Sequence, residues 1–436
     1  MMSVEDVYRS GLCTQCGTCV AACPARAIEM IKDENRGVYL PKIDVSKCSH
    51  CGVCLRVCPG YSLDFNILNM QIFGRASGDD FLGNSIAYYL GYATDYKIRY
   101  NSSSGGLVTA LLCYMLKKGI IDGALVTTMS RENPLEPKVI LATTEEEIIS
   151  ASGSKYCPVP LNAALDKIIN SDGRFAIVGL PCHIQGIRKF ENINDKLRNK
   201  IVMHFGLFCA NTASFLGTEY FLRKWGVQME DIREIRYRGE GWPGKRTIVL
   251  KNGSKIKIEK WATQTLYATI HGSAFHFDFT PTRCLLCPDQ TNELADISFG
   301  DAWLPELLKT EKVGVSLVMS RTEEGEKLLK EAYEEGIVKI IEISRFTVMR
   351  AGNFYYKSKF GSRINILKLF RRPVPSYIGK KLPSKIGIID YMDFLLYLPS
   401  FFSSKRKMWP FLIIIAMIRS LLLIPLSILR ARLIRK

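Results

Sequence analysis

A cysteine pattern that occurs twice near the start of the chain limits what this protein can be. Each copy has the spacing C-x2-C-x2-C-x3-C and is followed directly by proline. Four thiolates at this spacing hold a cubane iron–sulfur cluster, and where two such runs occur the fourth cysteine of each run ligates the other cluster. We therefore predict two [4Fe–4S] clusters, one ligated by Cys13, Cys16, Cys19 and Cys58 and the other by Cys48, Cys51, Cys54 and Cys23.

A pair of zinc sites is the alternative for these cysteines, but structural zinc normally takes separated C-x2-C pairs rather than crowded runs of four. The segment Met1–Gly11 is polar and has no apolar run like that of a signal peptide. Clusters and six further cysteines without an export signal predict the reducing cytoplasm, where disulfides are rare. We expect the thiols to be ligands or buried groups.

The 436 residues have room for two or three domains. Residues 1–65 are expected to form a ferredoxin-like dicluster domain with a hairpin between the two cysteine runs. In residues 85–345 the predicted helices and strands alternate, which favours an α/β fold (α+β overall) with a mainly parallel sheet. The clearest strands predicted there are Gly123–Thr128, Phe175–Gly179 and Ile201–Leu207. An added β-rich section follows Asp231, with a hairpin turn at Asn252-Gly253.

Two further cysteines, Cys182 and Cys209, directly follow predicted strands. Ligands of an open parallel sheet gather outside the carboxyl ends of its strands, so both thiols are expected at one edge. Cys284 and Cys287 form a C-x2-C pair on a loop. These four cysteines could hold a third cubane; the alternative is two ordinary buried cysteines and a redox or zinc-binding pair.

The basic residues are concentrated at the C-terminus. From residue 345 onward there are nineteen Lys and Arg against two acids, which accounts for the net charge of +17. Residues 346–436 are therefore expected to form a basic tail. A balanced body with such a tail is not the footprint of a nucleic-acid-binding protein. An apolar helix at about 409–430, with basic clusters at both ends, is predicted to lie on an anionic membrane surface, with Trp409 as an interfacial anchor. A transmembrane span, which Arg419 disfavours, and a partner-binding helix are the alternatives.

Two glycine-rich segments are candidates for cofactor binding. Asn101–Gly106 precedes a predicted helix, where small residues would let a phosphate approach the backbone N–H groups; a plain serine cap is the alternative. The formal G-x-G-x-x-G at Gly239–Gly244 contains Pro243 and leads into a hairpin. It is therefore not interpreted as a dinucleotide fingerprint, which must open a helix.

Several short motifs occur in one order along the chain after the dicluster run: Ser104-Gly-Gly-Leu-Val-Thr-Ala110, Gly153-Ser-Lys-Tyr156, Gly179-Leu-Pro-Cys182, Tyr237-Arg-Gly-Glu-Gly-Trp-Pro-Gly244, Cys284-x2-Cys287 and Ala295-Asp-Ile-Ser-Phe-Gly-Asp-Ala-Trp303. With these motifs, most of residues 1–345 resembles the family of coenzyme F420 hydrogenase and dehydrogenase beta subunits. The resemblance implies FAD beside an iron–sulfur cluster and hydride exchange with a deazaflavin, coenzyme F420. It also favours the third cluster and implies these flavin contacts: Ser103, Ser104, Gly105, Gly106, Lys155, Tyr156, Gly241, Trp242 and Pro243.

The expected function is therefore an oxidoreductase that converts hydride transfer into single-electron transfer, with a redox protein or membrane complex as its partner. No catalytic acid–base pair is predicted. His183 is a possible contact of flavin or cluster, or a structural histidine. The alternatives are a ferredoxin-driven reductase of another organic substrate, as in relatives that act on a chlorophyll intermediate or occur with polysaccharide genes, and a non-catalytic electron-transfer subunit without flavin.

Overall fold

The computed structural model describes residues 2–259, 278–352, 354–396, 404–411 and 414. An eight-stranded sheet forms the centre of the chain. Its strands are β4 (Ala87–Ala93), β5 (Gly123–Met129), β6 (Pro137–Ala142), β7 (Phe175–Gly179), β8 (Ile201–Leu207), β12 (Ile297–Asp301), β13 (Ser316–Ser320) and β14 (Val338–Glu342). They lie side by side in the order β14-β4-β13-β12-β8-β7-β5-β6. The predicted α/β fold is confirmed.

Within this sheet, parallel pairing is confined to the four neighbouring strands β12, β8, β7 and β5. The strands outside this group pair antiparallel, so the sheet is mixed rather than mainly parallel. The parallel strands are largely buried, and β7 and β8 are apolar apart from His204, as is typical of strands covered on both faces. Phe175–Gly179 and Ile201–Leu207 were therefore predictable to the residue.

Helices cover the sheet and connect its strands. In chain order they are α1 (Val4–Arg9), α2 (Thr18–Ala21), α3 (Val53–Arg56), α4 (Phe65–Phe73), α5 (Tyr96–Asn101), α6 (Leu107–Lys117), α7 (Glu145–Ser150), α8 (Leu165–Asn170), α9 (Pro181–Glu191), α10 (Asp195–Lys200), α11 (Phe215–Lys224), α12 (Thr282–Leu285), α13 (Pro305–Thr310), α14 (Glu323–Glu334), α15 (Arg345–Ala351), α16 (Tyr355–Ser358), α17 (Phe360–Leu369) and α18 (Ile388–Leu396). Short 3-10 turns lie at Leu161–Ala164, Met229–Asp231 and Arg406–Met408.

Helix α6 shows what anchors these helices to the sheet. Its side chains Leu107, Leu111 and Leu112 are almost fully buried, and the helix packs against β4 and β14. Each such leucine contributes about 1.5–3 kcal/mol relative to an exposed one. The helix therefore holds the loop that precedes it, Ser102–Gly106, in a fixed position against the sheet.

Smaller sheets complete the fold. The predicted hairpin in the dicluster module is present as β1 (Ile28–Asp33) and β2 (Val38–Ile43). The predicted β-rich section is also present, as the antiparallel strands β9 (Ile232–Arg236), β10 (Lys245–Leu250) and β11 (Lys255–Glu259). Gly239–Gly244 is the loop from β9 to β10 and opens no helix, as expected.

Part of the basic tail is folded against the rest of the chain. Strand β15 (Ser376–Ile378) pairs with β3 (Ser62–Asp64), directly after the second cysteine run. Lys380 forms an almost fully buried ion pair with Glu293. Trp409 is 7% exposed and packs edge-on against Tyr220, so its prediction as an interfacial anchor was wrong. The apolar stretch predicted to meet the membrane lies mostly outside the described residues.

Candidate iron–sulfur and cofactor site

A cavity in the dicluster module collects three cysteines of the first run and one of the second. It is lined by Cys13, Cys16, Cys19 and Cys58, with an otherwise mainly apolar wall that includes Val4, Val7, Met30, Pro41 and Pro59. Left-handed glycines precede the short helices that carry the third cysteine of each run, Gly17 before α2 and Gly52 before α3. These four thiols are the crossed set that the spacing predicts; their role as ligands stays a prediction.

Burial disfavours the ionised form of three of these thiols, those of Cys13, Cys19 and Cys58. It raises the pKa of Cys13 and Cys19, and neighbouring cysteines add to the effect. Burial likewise raises the pKa of Cys58 to about 11. Coordination to a metal removes the thiol proton outright, so this apolar donor set fits a cationic iron centre.

The remaining cysteines of the two runs form a second group nearer the surface. Burial raises the pKa of Cys54, and both Cys51 and Cys23 add to the increase, so Cys23 lies with the second run. Cys51 is exposed and Cys48 is partly buried. Within the described residues, no three His, Cys, Asp or Glu side chains come close enough to bind one metal ion; in a cubane the ligands bind separate irons.

A third group of cysteines lies at the carboxyl edge of the parallel strands. Cys182 is in the first turn of α9, directly after β7, and Cys209 follows β8 by two residues. Burial raises the pKa of Cys182 well above its usual value, and Cys16, Cys209, Cys284 and Cys287 raise it further. The structure thus brings together the four cysteines predicted for the third cluster.

The loop that carries Cys284 and Cys287 is joined to this edge by residues that sequence reasoning missed. The buried Asn292 side chain donates to the carbonyl oxygens of Gly179 at 2.8 Å and Leu207 at 3.4 Å, the last residues of β7 and β8. The Cys209 N–H donates to the Gln290 carbonyl at 2.9 Å. Proximity to Cys287 in the sequence was the only signal for these residues.

The third cysteine group lies beside the first. Cys16 is the neighbouring charge that most raises the pKa of Cys182 after burial. The Asn162 N–H donates to the Cys16 carbonyl at 2.8 Å, and its side-chain amide donates to the Thr18 hydroxyl and the His183 carbonyl. A Cβ on Gly186 of α9 would lie 2.2 Å from the Thr18 hydroxyl. Glycine there lets the dicluster module approach the sheet closely.

The predicted flavin contacts come from three segments that the fold also brings together. The Ser103 hydroxyl accepts from the Ser154 N–H at 2.8 Å, beside Lys155 and Tyr156. The Gly241 N–H donates to the Tyr100 carbonyl at 2.9 Å. Gly106 caps helix α6 without a side-chain hydrogen bond to the helix N–H groups, which contradicts the alternative of a serine cap.

Several of these residues are also committed to contacts within the protein. Trp242 stacks on Trp303, with ring centroids 5.1 Å apart, and its indole N–H donates to Asp301 at 2.9 Å. Asp301 also forms a two-point ion pair with the buried Arg238, with N–O distances of 2.6 and 2.8 Å. The Arg238 guanidinium donates to the Pro243 carbonyl at 3.1 Å. This network fixes the Trp-Pro loop at the carboxyl end of β12.

Gly105 and Lys155 have clear structural roles. A Cβ on Gly105 would lie 2.4 Å from the Gly91 carbonyl, so the turn requires glycine for packing on β4. The Lys155 ammonium donates to the carbonyl oxygens of Ala151, Ser152 and Gly153, at the end of α7. Burial lowers its pKa to about 7.

His183 is a structural histidine. Its Nδ1 accepts from the Leu180 N–H at 3.1 Å, and Nε2 lies 2.9 Å from the Val159 carbonyl. Burial lowers its pKa to about 4. The neutral ring thus uses both nitrogens within the protein, which agrees with the alternative of a structural histidine and not with a flavin or cluster contact.

Comparison with known proteins matches the chain to three family models. Residues 12–60 match the 4Fe-4S dicluster domain. Residues 88–166 and 172–345 match the N-terminal and C-terminal domains of the coenzyme F420 hydrogenase/dehydrogenase beta subunit. The predicted dicluster domain is therefore confirmed.

Curated relatives support the same assignment. The coenzyme F420 hydrogenase beta subunit of Methanothermobacter thermautotrophicus is 31% identical over 56% of this chain and 80% of its own length. The corresponding beta subunit of Methanococcus voltae is 30% identical over 56% of this chain and 80% of its own length.

A solved structure shows the same fold. A chain of the F420-reducing [NiFe] hydrogenase complex from Methanosarcina barkeri matches with a TM-score of 0.53 and 24% identity, over 70% of this chain and 98% of that one. The family models and both relatives agree with the family that the sequence motifs indicate. The chain therefore belongs to the family of coenzyme F420 hydrogenase/dehydrogenase beta subunits, whose members are parts of oxidoreductases.

Proposed function

We propose that this chain is an iron–sulfur flavoprotein that exchanges hydride between reduced coenzyme F420 and FAD and passes single electrons through three [4Fe–4S] clusters. The proposed parts are a dicluster module (1–65), a flavin domain (85–345) and a basic tail (346–436). FAD, when bound, can take up two electrons as hydride and release them one at a time, which the clusters require.

One observation carries this proposal: the candidate residues for the flavin and for the third cluster share one edge of the sheet. Strands β7, β8 and β12 run parallel, and their carboxyl ends lead to Cys182, Cys209 and Asp301. Ser316 of β13 pairs with Asp301 and, on its other side, with Gly91 of β4. The Ser316 hydroxyl accepts from the Gly105 N–H at 2.9 Å, which puts the Ser-Gly-Gly turn at this edge.

The residues of this edge would bind and orient the cofactors. The uncapped N–H groups at the start of α6 are suited to a phosphate group. The Thr212 N–H hydrogen-bonds the Cys284 thiol and the Thr212 hydroxyl donates to the Cys157 carbonyl, so the cysteine group and Tyr156 are held close together. Cys182, Cys209, Cys284 and Cys287 would hold the third cluster.

The basic, apolar C-terminal stretch is proposed to attach the protein to an anionic membrane surface, where a redox complex would accept the electrons. The support is the sequence itself, with basic clusters at both ends of Phe411–Leu429. Among the described residues, the structure contains no helix long and apolar enough to cross a bilayer.

Anaerobic purification followed by cofactor analysis tests the proposed function. We expect about one FAD and about twelve irons per chain, four for each cubane. Adding reduced coenzyme F420 should bleach the flavin and cluster absorbance. The variant Cys209→Ala should lose about four irons. The matched control is Cys113→Ala, which changes a buried cysteine of helix α6 and should retain all the iron.

Other outcomes identify the competing functions. Bound flavin that reduced coenzyme F420 does not bleach, but reduced ferredoxin does, would indicate a ferredoxin-driven reductase. About eight irons without flavin would leave a non-catalytic electron-transfer subunit. Either result would refute the proposed exchange of hydride with coenzyme F420.

A further inference from the structure

A buried lysine from the C-terminal segment lies against the third cysteine group. Lys357, in the short helix α16, is only 4% exposed. Its ammonium donates to the Cys284 carbonyl at 3.4 Å and hydrogen-bonds the Cys287 side chain. Lys357 follows the segment that matches the family model, which ends at residue 345.

The geometry around Lys357 places its positive charge at this group of cysteines. Its ammonium contacts both cysteines of the C-x2-C pair, Cys284 through the carbonyl oxygen and Cys287 through the side chain. The Cys209 N–H donates to the Gln290 carbonyl of the same loop at 2.9 Å. Three of the four cysteines therefore lie on, or are hydrogen-bonded to, the loop that Lys357 contacts.

The C-terminal segment is built so that this lysine stays in place. Arg363, in the following helix α17, forms a buried ion pair with Asp393 of α18 and donates to the Leu285 carbonyl at 3.2 Å. Arg283, which precedes Cys284, hydrogen-bonds the Tyr377 hydroxyl of β15. Two further contacts thus join the segment to the cysteine loop on either side of Cys284.

We infer that Lys357 sets the reduction potential of the third cluster by placing a fixed positive charge beside its ligands. The inference rests on the proposed third cluster. Reduction adds negative charge to a cluster, and the potential depends on nearby charge and on hydrogen bonds to the sulfurs. At short range in a partly buried site, one charge is enough to change the ratio of reduced to oxidised cluster by about tenfold or more. Lys357 is a positioning residue and need not touch the substrate.

An anaerobic redox titration followed by electron paramagnetic resonance tests this. The signal of the third cluster is identified as the one missing from Cys209→Ala. We expect Lys357→Gln and Lys357→Met to lower its midpoint potential by at least about 59 mV, the equivalent of a tenfold change for one electron. Lys357→Arg, which retains the charge, should titrate close to the unmodified protein. Lys359→Gln is the matched control, since Lys359 pairs with Asp390 at 2.8 Å instead.

Two results would overturn the inference. One is an unchanged midpoint potential in both neutral variants, Lys357→Gln and Lys357→Met. The other is loss of the third cluster's iron from the Gln, Met and Arg variants alike, because Lys357 would then be needed to assemble the site and not to supply a charge beside it. The iron content of the unmodified protein separates this from the proposed function. About eight irons would refute the third cluster itself, whereas about twelve with an unchanged midpoint would refute only the role of Lys357.

Discussion

At the scale of single residues, the predicted pairing of cysteines between the two runs specifies which thiols would share a cluster. Cys58 lies 45 positions after Cys13, yet both line the same cavity. Each cubane requires four thiolates, so removing two ligands of one cluster should cost no more iron than removing one. Removing one ligand from each cluster should cost twice as much.

We therefore expect Cys13→Ala combined with Cys58→Ala to lose about four irons, the same as either single variant. The combination of Cys13→Ala with Cys51→Ala should lose about eight. Iron content measured after anaerobic reconstitution checks both numbers. If the Cys13 and Cys58 pair lost eight irons, the crossed assignment would be wrong.

The ion pair of Asp301 with Arg238 gives a second prediction at this scale. Arg238 is buried, and Asp301 is its two-point partner and the acceptor for Trp242. Removing one partner of a buried pair typically costs about 3–5 kcal/mol because the other charge is left uncompensated. We expect Asp301→Asn to lower the urea midpoint accordingly.

The matched control is Glu234→Gln, which removes an exposed ion pair with Arg236. Exposed pairs contribute about 0–1 kcal/mol, so its urea midpoint should stay close to that of the unmodified protein. Equal effects of the two substitutions would show that the Asp301 network does not hold the Trp-Pro loop.

At the scale of elements, the sequence predicted the parallel strands β5, β7 and β8 and the local hairpins, but it did not predict the parallel strand β12 or the antiparallel strands β4, β6, β13 and β14 of the large sheet. β7 is a continuous apolar run, and β8 is apolar apart from His204. β4 pairs with β13 and β14 across more than 200 residues, so no local hairpin signal marks these strands. The cluster cysteines could be predicted together because the spacing of cysteines in the sequence indicates which kind of metal centre they bind. The contacts of Asn292 depend on packing between distant parts of the chain and could not be predicted.

A buried charge network joins three elements at the end of α9 opposite Cys182. His204 of β8 lies between Glu191, at the end of α9, and Asp296, just before β12, with nitrogen–oxygen distances of 2.8 and 2.9 Å. Burial and Arg188 oppose protonation of the histidine, but the two carboxylates outweigh them and raise its pKa. The protonated imidazolium thus helps to hold α9 against the sheet.

The pH dependence of stability follows from the raised pKa of His204. A histidine whose pKa is raised by folding stabilises the fold fully at a pH below its pKa in the unfolded chain, about 6.5. This contribution is lost as the pH rises through its pKa in the folded protein. We expect the thermal midpoint to fall between pH 6 and pH 9, and to fall less in His204→Gln. Parallel curves for the two proteins would exclude His204 as the titrating group.

At the scale of the whole molecule, the charge is unevenly distributed. The body is balanced, whereas the last 92 residues contain the entire net charge. Several of those basic residues pair with acids of the body, including Arg345 with Asp79 and Arg406 with Glu219. The tail is thus partly a structural element of the body, which composition alone did not indicate.

The proposed membrane attachment predicts that the purified protein will sediment with vesicles that contain phosphatidylglycerol more than with neutral ones, and less at high salt because the attraction is screened. A variant that ends at residue 411 should stay in the supernatant. This variant retains Arg406 and Trp409, which contact the body of the protein, so we expect it to fold. Its iron content, compared with that of the full chain, checks this. Equal sedimentation of the two forms would refute attachment through the C-terminal stretch.

The segment that leads from the dicluster module into the body is tied down by one buried arginine. Arg321 donates to the carbonyl oxygens of Leu82 and Asn84, at 2.8 and 2.6 Å, and to that of Thr291, at 3.0 Å. The Asn84 side chain also donates to Asn69 of α4 at 2.9 Å. A module fastened in this way is fixed to the body, so the proposed electron transfer between the first and third cysteine groups would need no domain rotation. Its rate should be insensitive to the viscosity of the solvent.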